Sequence, residues 1–446
     1  FVTHFPKKLL HIAYVTDKEL KKSEGVCENG RMIRLLKWLF KKTPVLISLS
    51  LLALAVWVKG GQYEFIILLQ NKVFDAYQQQ MPRQYEPAGV KIIDIDDDSL
   101  AKMGQWPWPR HQVAKLVSRL IELGSGPIAF DIVFAEPDRT SPNHISELWE
   151  TDDKLDNLLS KLPDHDDILA QAYESGYVVG GAVLSHRATE RMPERKFGLS
   201  YNGFPGAVPQ DYLGEDFAGA IMNLKPLDDA SEGIGFFNNI PDSDGIIRRI
   251  PLILQGQGEA YFSLMMEALR VAQGASTYIV QMEGSSGKKS YYDSETGITQ
   301  IRSGQLKVPT DPEGRMFLHY TPYKRDRYVP AWEVMRDDFD ASQIKDHILF
   351  IGTSAPGLLD LRATPLNPSL PGVEVHVQAL EQILLGKFLY RSDFVLTVEI
   401  AVMVVGGLLM MLIMARLTAV WGAVFMLFAQ GSCFAGSLYA FIAHGY

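Results

Sequence analysis

A large block of mixed sequence lies between apolar segments, and this arrangement limits the chain to a membrane-anchored fold. A bilayer core of about 30 Å needs about 20 apolar residues in a helix, and both apolar segments near the C-terminus reach that length. The first apolar segment, Pro44–Val58, is shorter, so we predict a helix whose flanking lysines reach the membrane interface. The sequence therefore predicts a membrane helix, a domain and two further membrane helices at residues 43–61, 62–392, 393–415 and 418–443.

The charge distribution orients the chain in the membrane. Residues 1–42 carry ten Lys and Arg against four acids, a net charge of +6, whereas the whole chain carries −9, which leaves −15 for the remainder. Because basic residues beside a membrane helix stay in the cytoplasm, we predict a cytoplasmic tail over residues 1–42 and a domain on the periplasmic or extracellular side. Because an acidic domain suits nucleic acid poorly, nucleic acid is not an expected partner. Membrane lipid is an expected partner because of the apolar segments.

Each predicted membrane helix carries the chain to the opposite side of the membrane. After three such helices, Tyr446 is predicted to lie outside. A receptor that stopped there would have no means of signalling, and the sequence begins with Phe1 rather than Met. We therefore expect an output domain beyond Tyr446. The alternative is a membrane-anchored protein that needs no output.

Strand-like and helix-like segments alternate along the domain. Val90–Ile95 is an apolar strand, Pro109–Gly124 has apolar residues at helical spacing, and Pro127–Phe134 is the next apolar strand. This rhythm predicts an α/β domain with a mostly parallel sheet covered by helices on both faces. Two polar stretches, Pro137–Asp167 and Glu283–Leu306, are predicted to be irregular.

Acidic side chains gather where the predicted strands end. Asp94 and Asp96 follow the first strand, Asp131 and Glu136 lie at the second, and Asp360 follows a late strand. The carboxyl ends of parallel strands form the ligand crevice of an open sheet, so these acids are predicted to converge on a divalent cation such as Mg²⁺ or Ca²⁺. The alternative is that Asp94 and Asp131 hydrogen-bond backbone amides and fix turns.

An apolar strand followed by Asp-x-Asp also resembles the nucleophile loop of haloacid-dehalogenase-type phosphatases. In such an enzyme Asp94 would attack phosphorus and Asp96 would act as the general acid. That chemistry also requires a downstream lysine and a paired acid on Mg²⁺, for which the chain offers no convincing counterpart. A periplasmic phosphatase is an alternative function that depends on the Asp-x-Asp pattern alone.

Two further loops carry residues suited to binding. Trp106, Trp108 and Arg110 surround a turn set by prolines, which is either a lip that stacks on a ligand or a cover for the core before a helix. The loop Gly352-Thr-Ser-Ala-Pro-Gly357 follows a buried strand and either presents backbone amides to an anion or forms a simple turn.

The order of these motifs resembles the type-two CHASE extracellular sensory domain of bacterial transmembrane receptors, over most of residues 62–392. The motifs are Asp94-Ile-Asp96-Asp97-Asp98-Ser99-Leu100, Gly104-Gln-Trp106-Pro-Trp108-Pro-Arg110, Phe130-Asp131-Ile-Val-Phe134-Ala-Glu136-Pro137, Pro241-Asp-Ser-Asp244-Gly245-Ile-Ile-Arg248-Arg249-Ile-Pro251, Ile351-Gly352-Thr-Ser, Thr364-Pro365 and Pro371-Gly372-Val-Glu374-Val-His376. Each motif is weak alone, and their order together with the flanking membrane helices is specific.

The resemblance implies a receptor of the bacterial cytoplasmic membrane that binds an undefined signal or protein partner outside. Its cytoplasmic output would be an adenylate or guanylate cyclase, a diguanylate cyclase or a kinase. The family usually has three membrane helices after the sensor, whereas this chain shows two. We expect a homodimer that shifts between two packings, with no catalytic residue in this segment. A periplasmic scaffold that binds a partner and has no output domain is the competing interpretation.

Strand-end position and motif position together select the residues predicted to bind the signal. They are Asp94, Asp96, Trp106, Arg110, Asp131, Glu136, Asp360 and His376. Glu399 lies inside an apolar segment and is predicted to take part in transmembrane signalling, unless it is an interfacial carboxylate that reaches outward. Tyr63–Gln80 is amphipathic and is predicted to extend the first membrane helix as a stalk.

Overall fold

A computed structural model gives the structure of the protein. It describes residues 29–61, 63–149, 152–203, 205–282, 297–355, 360–389 and 394–444. The predicted cytoplasmic tail therefore lies mostly outside the described residues. The chain divides into two compact units, which are Phe1–Ile67 with Phe394–Ala429 and Leu68–Asp393 with Gln430–Tyr446.

The described helices and strands are numbered in chain order. The helices are α1 (Asn29–Gly60), α2 (Glu64–Gln80), α3 (Asp97–Met103), α4 (Arg110–Glu122), α5 (Pro142–Trp149), α6 (Asp153–Leu159), α7 (His165–Glu174), α8 (Lys225–Ala230), α9 (Leu264–Ala272), α10 (Ala331–Val334), α11 (Gly372–Leu384), α12 (Phe394–Met414) and α13 (Ala419–His444). The strands are β1 (Val90–Ile95), β2 (Ile128–Phe130), β3 (Val178–Ser185), β4 (Gly198–Asn202), β5 (Asp216–Phe217), β6 (Gly219–Ile221), β7 (Gly233–Phe236), β8 (Arg249–Pro251), β9 (Ile253–Gly256), β10 (Glu259–Phe262), β11 (Thr277–Met282), β12 (Ile298–Ser303), β13 (Leu306–Pro309), β14 (Arg315–Phe317), β15 (Tyr328–Pro330), β16 (Ile348–Thr353), β17 (Leu361–Arg362) and β18 (Leu370–Pro371).

Within the described part of the chain, two helices are long and apolar enough to cross a membrane. Their apolar windows are Thr397–Met414 in α12 and Val420–Ile442 in α13, and almost none of either window is buried in the protein. Near the N-terminus, Val45–Gly60 reaches the same standard only when taken together with Glu64–Gln80. The segment predicted to be a stalk forms the helix α2, which begins at Glu64, whereas α1 ends at Gly60.

The central sheet of the second unit has the strand order β15, β1, β16, β2, β3, with β6 and β7 both paired to β3. All of these pairs are parallel except that between β3 and β6. The strands are apolar without alternation because each of their faces is covered. Along β1, Ile92 enters the core formed with α9 and α11, whereas Ile93 enters the core formed with α4 and α7.

The remaining sheets are antiparallel or mixed, so the domain as a whole is mixed α/β. One sheet has the order β13, β12, β11, β4, another has β10, β9, β5, and two pairs are β14 with β8 and β17 with β18. The prediction of a mostly parallel sheet fits the central sheet alone.

Both predictions of irregular structure need correction. Pro137–Asp167 contains α5, α6 and the start of α7, because Asp152 and Asp164 accept hydrogen bonds from backbone amides and cap two of these helices. Within Glu283–Leu306, residues 283–296 lie outside the described part of the chain. The rest of that stretch forms β12 and the start of β13.

The helix α11 carries acidic groups into the core, where arginines pair with them. Arg327 contacts Glu374 at 2.5 Å and Glu381 at 2.8 Å, and Arg83 contacts Glu381 at 3.1 Å. All four side chains are almost completely excluded from solvent. Breaking such a group by removing one partner leaves an uncompensated buried charge, which costs about 3–5 kcal/mol.

We therefore predict that Arg327→Leu lowers the free energy of unfolding by about 3–5 kcal/mol. The matched control is Arg325→Leu, two residues away at an exposed position, which should change it by no more than about 0.5 kcal/mol. Urea unfolding of the detergent-solubilised chain, followed by tryptophan fluorescence, measures both. Equal effects of the two substitutions would contradict a structural role for the buried ion pairs.

Candidate functional site

Asp94 fixes the start of the loop that follows β16, the neighbour of β1 in the central sheet. It lies near the end of β1, opposite Gly352 of β16. One oxygen of its carboxylate accepts a hydrogen bond from the Ser354 amide at 3.0 Å and the other accepts one from the Ser354 hydroxyl at 2.7 Å. Burial raises the pKa of Asp94 to about 6. This geometry supports the interpretation of Asp94 as a residue that fixes a turn.

Asp96 has a different partner and does not join Asp94 in a shared site. Its carboxylate accepts a hydrogen bond from the Ser99 amide at 2.8 Å and caps the N-terminus of α3. Such a cap stabilises a helix by about 1 kcal/mol. The second carboxylate of the Asp-x-Asp pair thus stabilises the start of α3.

Asp131 and Asp360, both predicted from the sequence, come together around a residue that the sequence analysis missed. Asp360 pairs with the guanidinium of Arg362, and Asp131 lies within electrostatic range of both. Burial, and secondarily the charge of Asp360, raise the pKa of Asp131 well above its usual range. A raised pKa favours the protonated carboxyl group, which can donate a hydrogen bond as well as accept one.

His376, on the fully buried side of α11, belongs to the same region. Burial lowers its pKa to about 4, with Arg362 acting in the same direction, so the imidazole is neutral at pH 7. The ring lies near the backbone of Phe237, yet neither ring nitrogen meets hydrogen-bond geometry with a described residue. We call Asp131, Asp360, Arg362 and His376 the strand-end cluster.

The strand-end cluster has hydrogen-bonding capacity that the described residues do not use. Besides the two nitrogens of His376, Oδ1 of Asp131 and Nε of Arg362 are buried without a hydrogen-bond partner among them. A buried polar atom without a partner costs about 1–3 kcal/mol. The cluster can therefore offer donors and acceptors to a polar molecule.

Arg110 forms a second polar group, on the other face of the sheet. Its backbone amide donates to Asp138 at 2.7 Å, its guanidinium pairs with Asp166 at 3.5 Å, and the same guanidinium lies over the ring of Phe134 at 4.3 Å. Asp138 also accepts hydrogen bonds from the amide and hydroxyl of Thr140. Arg110 is thus held by residues that the sequence analysis did not select.

The loop that contains Trp106 and Trp108 covers the core. Glu136, from another loop, does not reach Arg110 through its side chain. Trp108 is buried and donates from Nε1 to the carbonyl of Gly104 at 2.7 Å, while the half-buried Trp106 packs edge-on against it. The side chain of Glu136 is exposed, and only its backbone carbonyl accepts a bond from Arg110, at 3.4 Å. The acid that accepts a hydrogen bond from the Arg110 amide is Asp138, which lies just after this motif.

The acids selected from the sequence do not converge on one cation site. Asp94 and Asp96 are engaged by Ser354 and Ser99, while Asp131 and Asp360 face Arg362. Among the described residues, no three or more His, Cys, Asp or Glu side chains are arranged to hold a metal ion.

Glu399 does not carry an isolated charge into the apolar helix α12. Its carboxylate forms an ion pair with Nζ of Lys59 in α1 at 2.8 Å. A charge inside a membrane helix is expensive unless it is paired, and this pair meets that requirement. The pair joins the helix that precedes the domain to the helix that follows it.

The chain matches a known protein family. The family model described as the CHASE2 domain matches residues 48–415. No curated protein and no solved structure matches the chain.

The raised pKa of Asp94 gives a prediction for the pH dependence of stability. Its value of about 6 lies above the ordinary value of about 3.9, so the stabilising contribution is complete below about pH 4 and is lost as the pH rises through about 6. Asparagine does not titrate. The stability of Asp94→Asn relative to the wild type should therefore rise by about 2 kcal/mol between about pH 4 and pH 7.5.

Urea unfolding at the two pH values measures this change. The control is Asp97→Asn at the exposed first residue of α3, for which no such rise is expected. A difference between Asp94→Asn and the wild type that stays constant with pH would show that the Asp94 carboxyl group is not perturbed by burial.

Proposed function

We propose, from the premise that this chain belongs to the CHASE2 domain family, that it senses a signal outside the cytoplasm and passes it through membrane helices to a cytoplasmic output. CHASE2 is an extracytoplasmic sensor domain family. The family match carries the proposal because it covers residues 48–415, which include the domain and α12.

The apolar helices support a membrane location for the sensor. The helices α12 and α13 are suited to anchor the chain, and the basic residues before position 43 favour a cytoplasmic N-terminus. We propose the bacterial cytoplasmic membrane, with the domain in the periplasm or outside the cell. The output would be a nucleotide cyclase or a kinase, controlled within a homodimer.

We propose that the strand-end cluster binds the signal. The support is chemical, because the buried carboxyl group of Asp131, the neutral imidazole of His376 and Nε of Arg362, which has no partner among the described residues, offer donors and acceptors beside an ion pair. Such a set suits a small, uncharged polar molecule with both kinds of hydrogen-bonding group. The geometry gives less support to Asp94, Asp96, Trp106, Arg110 and Glu136, which have structural partners or exposed side chains.

The competing functions predict different behaviour. A scaffold would bind a large partner protein without a small-molecule signal. A phosphatase would need a reactive Asp94, whereas this carboxylate is only 5% exposed and both of its oxygens accept hydrogen bonds from Ser354. The sensor proposal agrees best with the family and with the buried polar groups.

A ligand that binds only the folded protein stabilises it, by about 2.7 kcal/mol at one hundred times its dissociation constant. We predict that the small-molecule fraction of spent growth medium from the source organism raises the thermal unfolding midpoint of the detergent-solubilised chain. The rise should disappear in Arg362→Leu, which removes a member of the strand-end cluster.

The matched control is Arg336→Leu, because Arg336 also pairs with an aspartate two residues away, Asp338, but on the surface. That variant should keep the full rise in the unfolding midpoint. No rise in the wild type, or an equal rise in Arg362→Leu, would contradict a small-molecule sensor that uses this cluster.

A further inference from the structure

Buried glutamines from two helices hold one extended segment, Phe317–Thr321. On one side lies Gln78 of α2, whose Nε2 donates to the carbonyl of Leu318 at 2.7 Å and whose Oε1 accepts from the amide of Tyr320 at 2.9 Å. Gln78 is fully buried. Its side-chain amide thus pairs with the segment in the way that a neighbouring strand would.

The other edge of the segment is held by α11. Oε1 of Gln382 accepts from the amide of His319 at 2.7 Å, and its Nε2 donates to the carbonyl of Phe317 at 2.8 Å. Gln378 pairs with the amide and carbonyl of Thr321 at 2.7 and 3.3 Å. The even-numbered residues of the segment therefore bind α2 and the odd-numbered residues bind α11.

Ion pairs reinforce the attachment of α2. Arg248 forms two bonds of 2.7 Å with the carboxylate of Asp75 and is itself held by Asp242 and Asp244. Bidentate pairs of this kind fix geometry as well as adding energy. The motif Asp242-Ser-Asp244, which could suggest a calcium loop, is thus an arginine clamp on the helix.

The segment that follows α2 is tied to the same place. Nε of Arg83 donates to the carbonyl of His319 at 2.9 Å, and its guanidinium pairs with Glu381 of α11 at 3.1 Å. A slide of α2 along its axis by one helical residue, about 1.5 Å, would break its bonds with the segment and with Arg248 and leave buried polar groups without partners.

We propose that the segment Phe317–Thr321 locks α2 and α11 into one rigid body. Along the chain α2 follows α1, and α11 precedes α12. A signal then leaves the domain as a joint displacement of both helices, and a piston movement of one against the other within a protomer is excluded. This consequence for signalling rests on the proposed function, whereas the lock itself does not.

Residue-resolved hydrogen exchange of the full chain in detergent tests the lock. In the wild type the amides of His319, Tyr320 and Thr321 should open as one unit, with protection factors within about threefold of one another and the same dependence on urea. Three different protection factors, with different urea dependences, would overturn the proposal without any variant.

Substitutions on each helix provide the reciprocal test. Gln78→Met keeps the length of the side chain but removes its donor and acceptor. It should lower protection about tenfold or more at Tyr320 and equally at His319 and Thr321, which bind the other helix. Gln382→Met should lower the protection of the Tyr320 amide in the same way. If Gln78→Met does not fold, the measurement on Gln382→Met is sufficient to test the lock.

The control is Gln112→Met, whose side chain bonds the carbonyl of Met103 at 2.9 Å in another part of the domain. It should leave the protection of the three amides unchanged. Loss confined to Tyr320 in Gln78→Met would overturn the lock. Because exchange is measured without any ligand, failure of the lock is distinguishable from failure of the sensor proposal.

Discussion

The buried ion pairs of α11 are the interaction on which the rest of the domain depends. Arg327 lies between Glu374 and Glu381, and Arg83 reaches the second of these carboxylates from the segment after α2. A buried charge without its partner is far more costly than the pair is favourable, so these groups can be buried only together. The formation of the core around α11 therefore requires the chain near α2 to be in place.

The helix α11 carries two groups of buried polar residues. One end of α11 carries His376 of the strand-end cluster, and the same helix carries Gln378 and Gln382, which hold the segment bound to Gln78. A ligand that changes the position of α11 thus acts on a helix that cannot move independently of α2. The polar residues of this mostly apolar helix thus belong both to the proposed binding site and to the proposed lock.

The sequence predicted what depends on local pattern and missed what depends on distant partners. Strand β1 and helix α4 follow from the spacing of their apolar residues, and the position of Asp131 at a strand end was correct. Ser354, the partner of Asp94, is 260 residues away and carries no local signal. The acidic stretch before α7 was wrongly predicted to be irregular, because aspartates that are typical of loops are also typical of helix N-caps.

The central claim is that the domain lies outside the cytoplasm. Labelling by a membrane-impermeant maleimide tests it most directly, in a chain whose Cys27 and Cys433 are replaced by serine. Tyr323 is 63% exposed on the domain, and Arg416 lies in the turn between α12 and α13. The account predicts that Tyr323→Cys is labelled in intact cells and that Arg416→Cys is labelled only after lysis. Labelling of Tyr323→Cys only after lysis would contradict it.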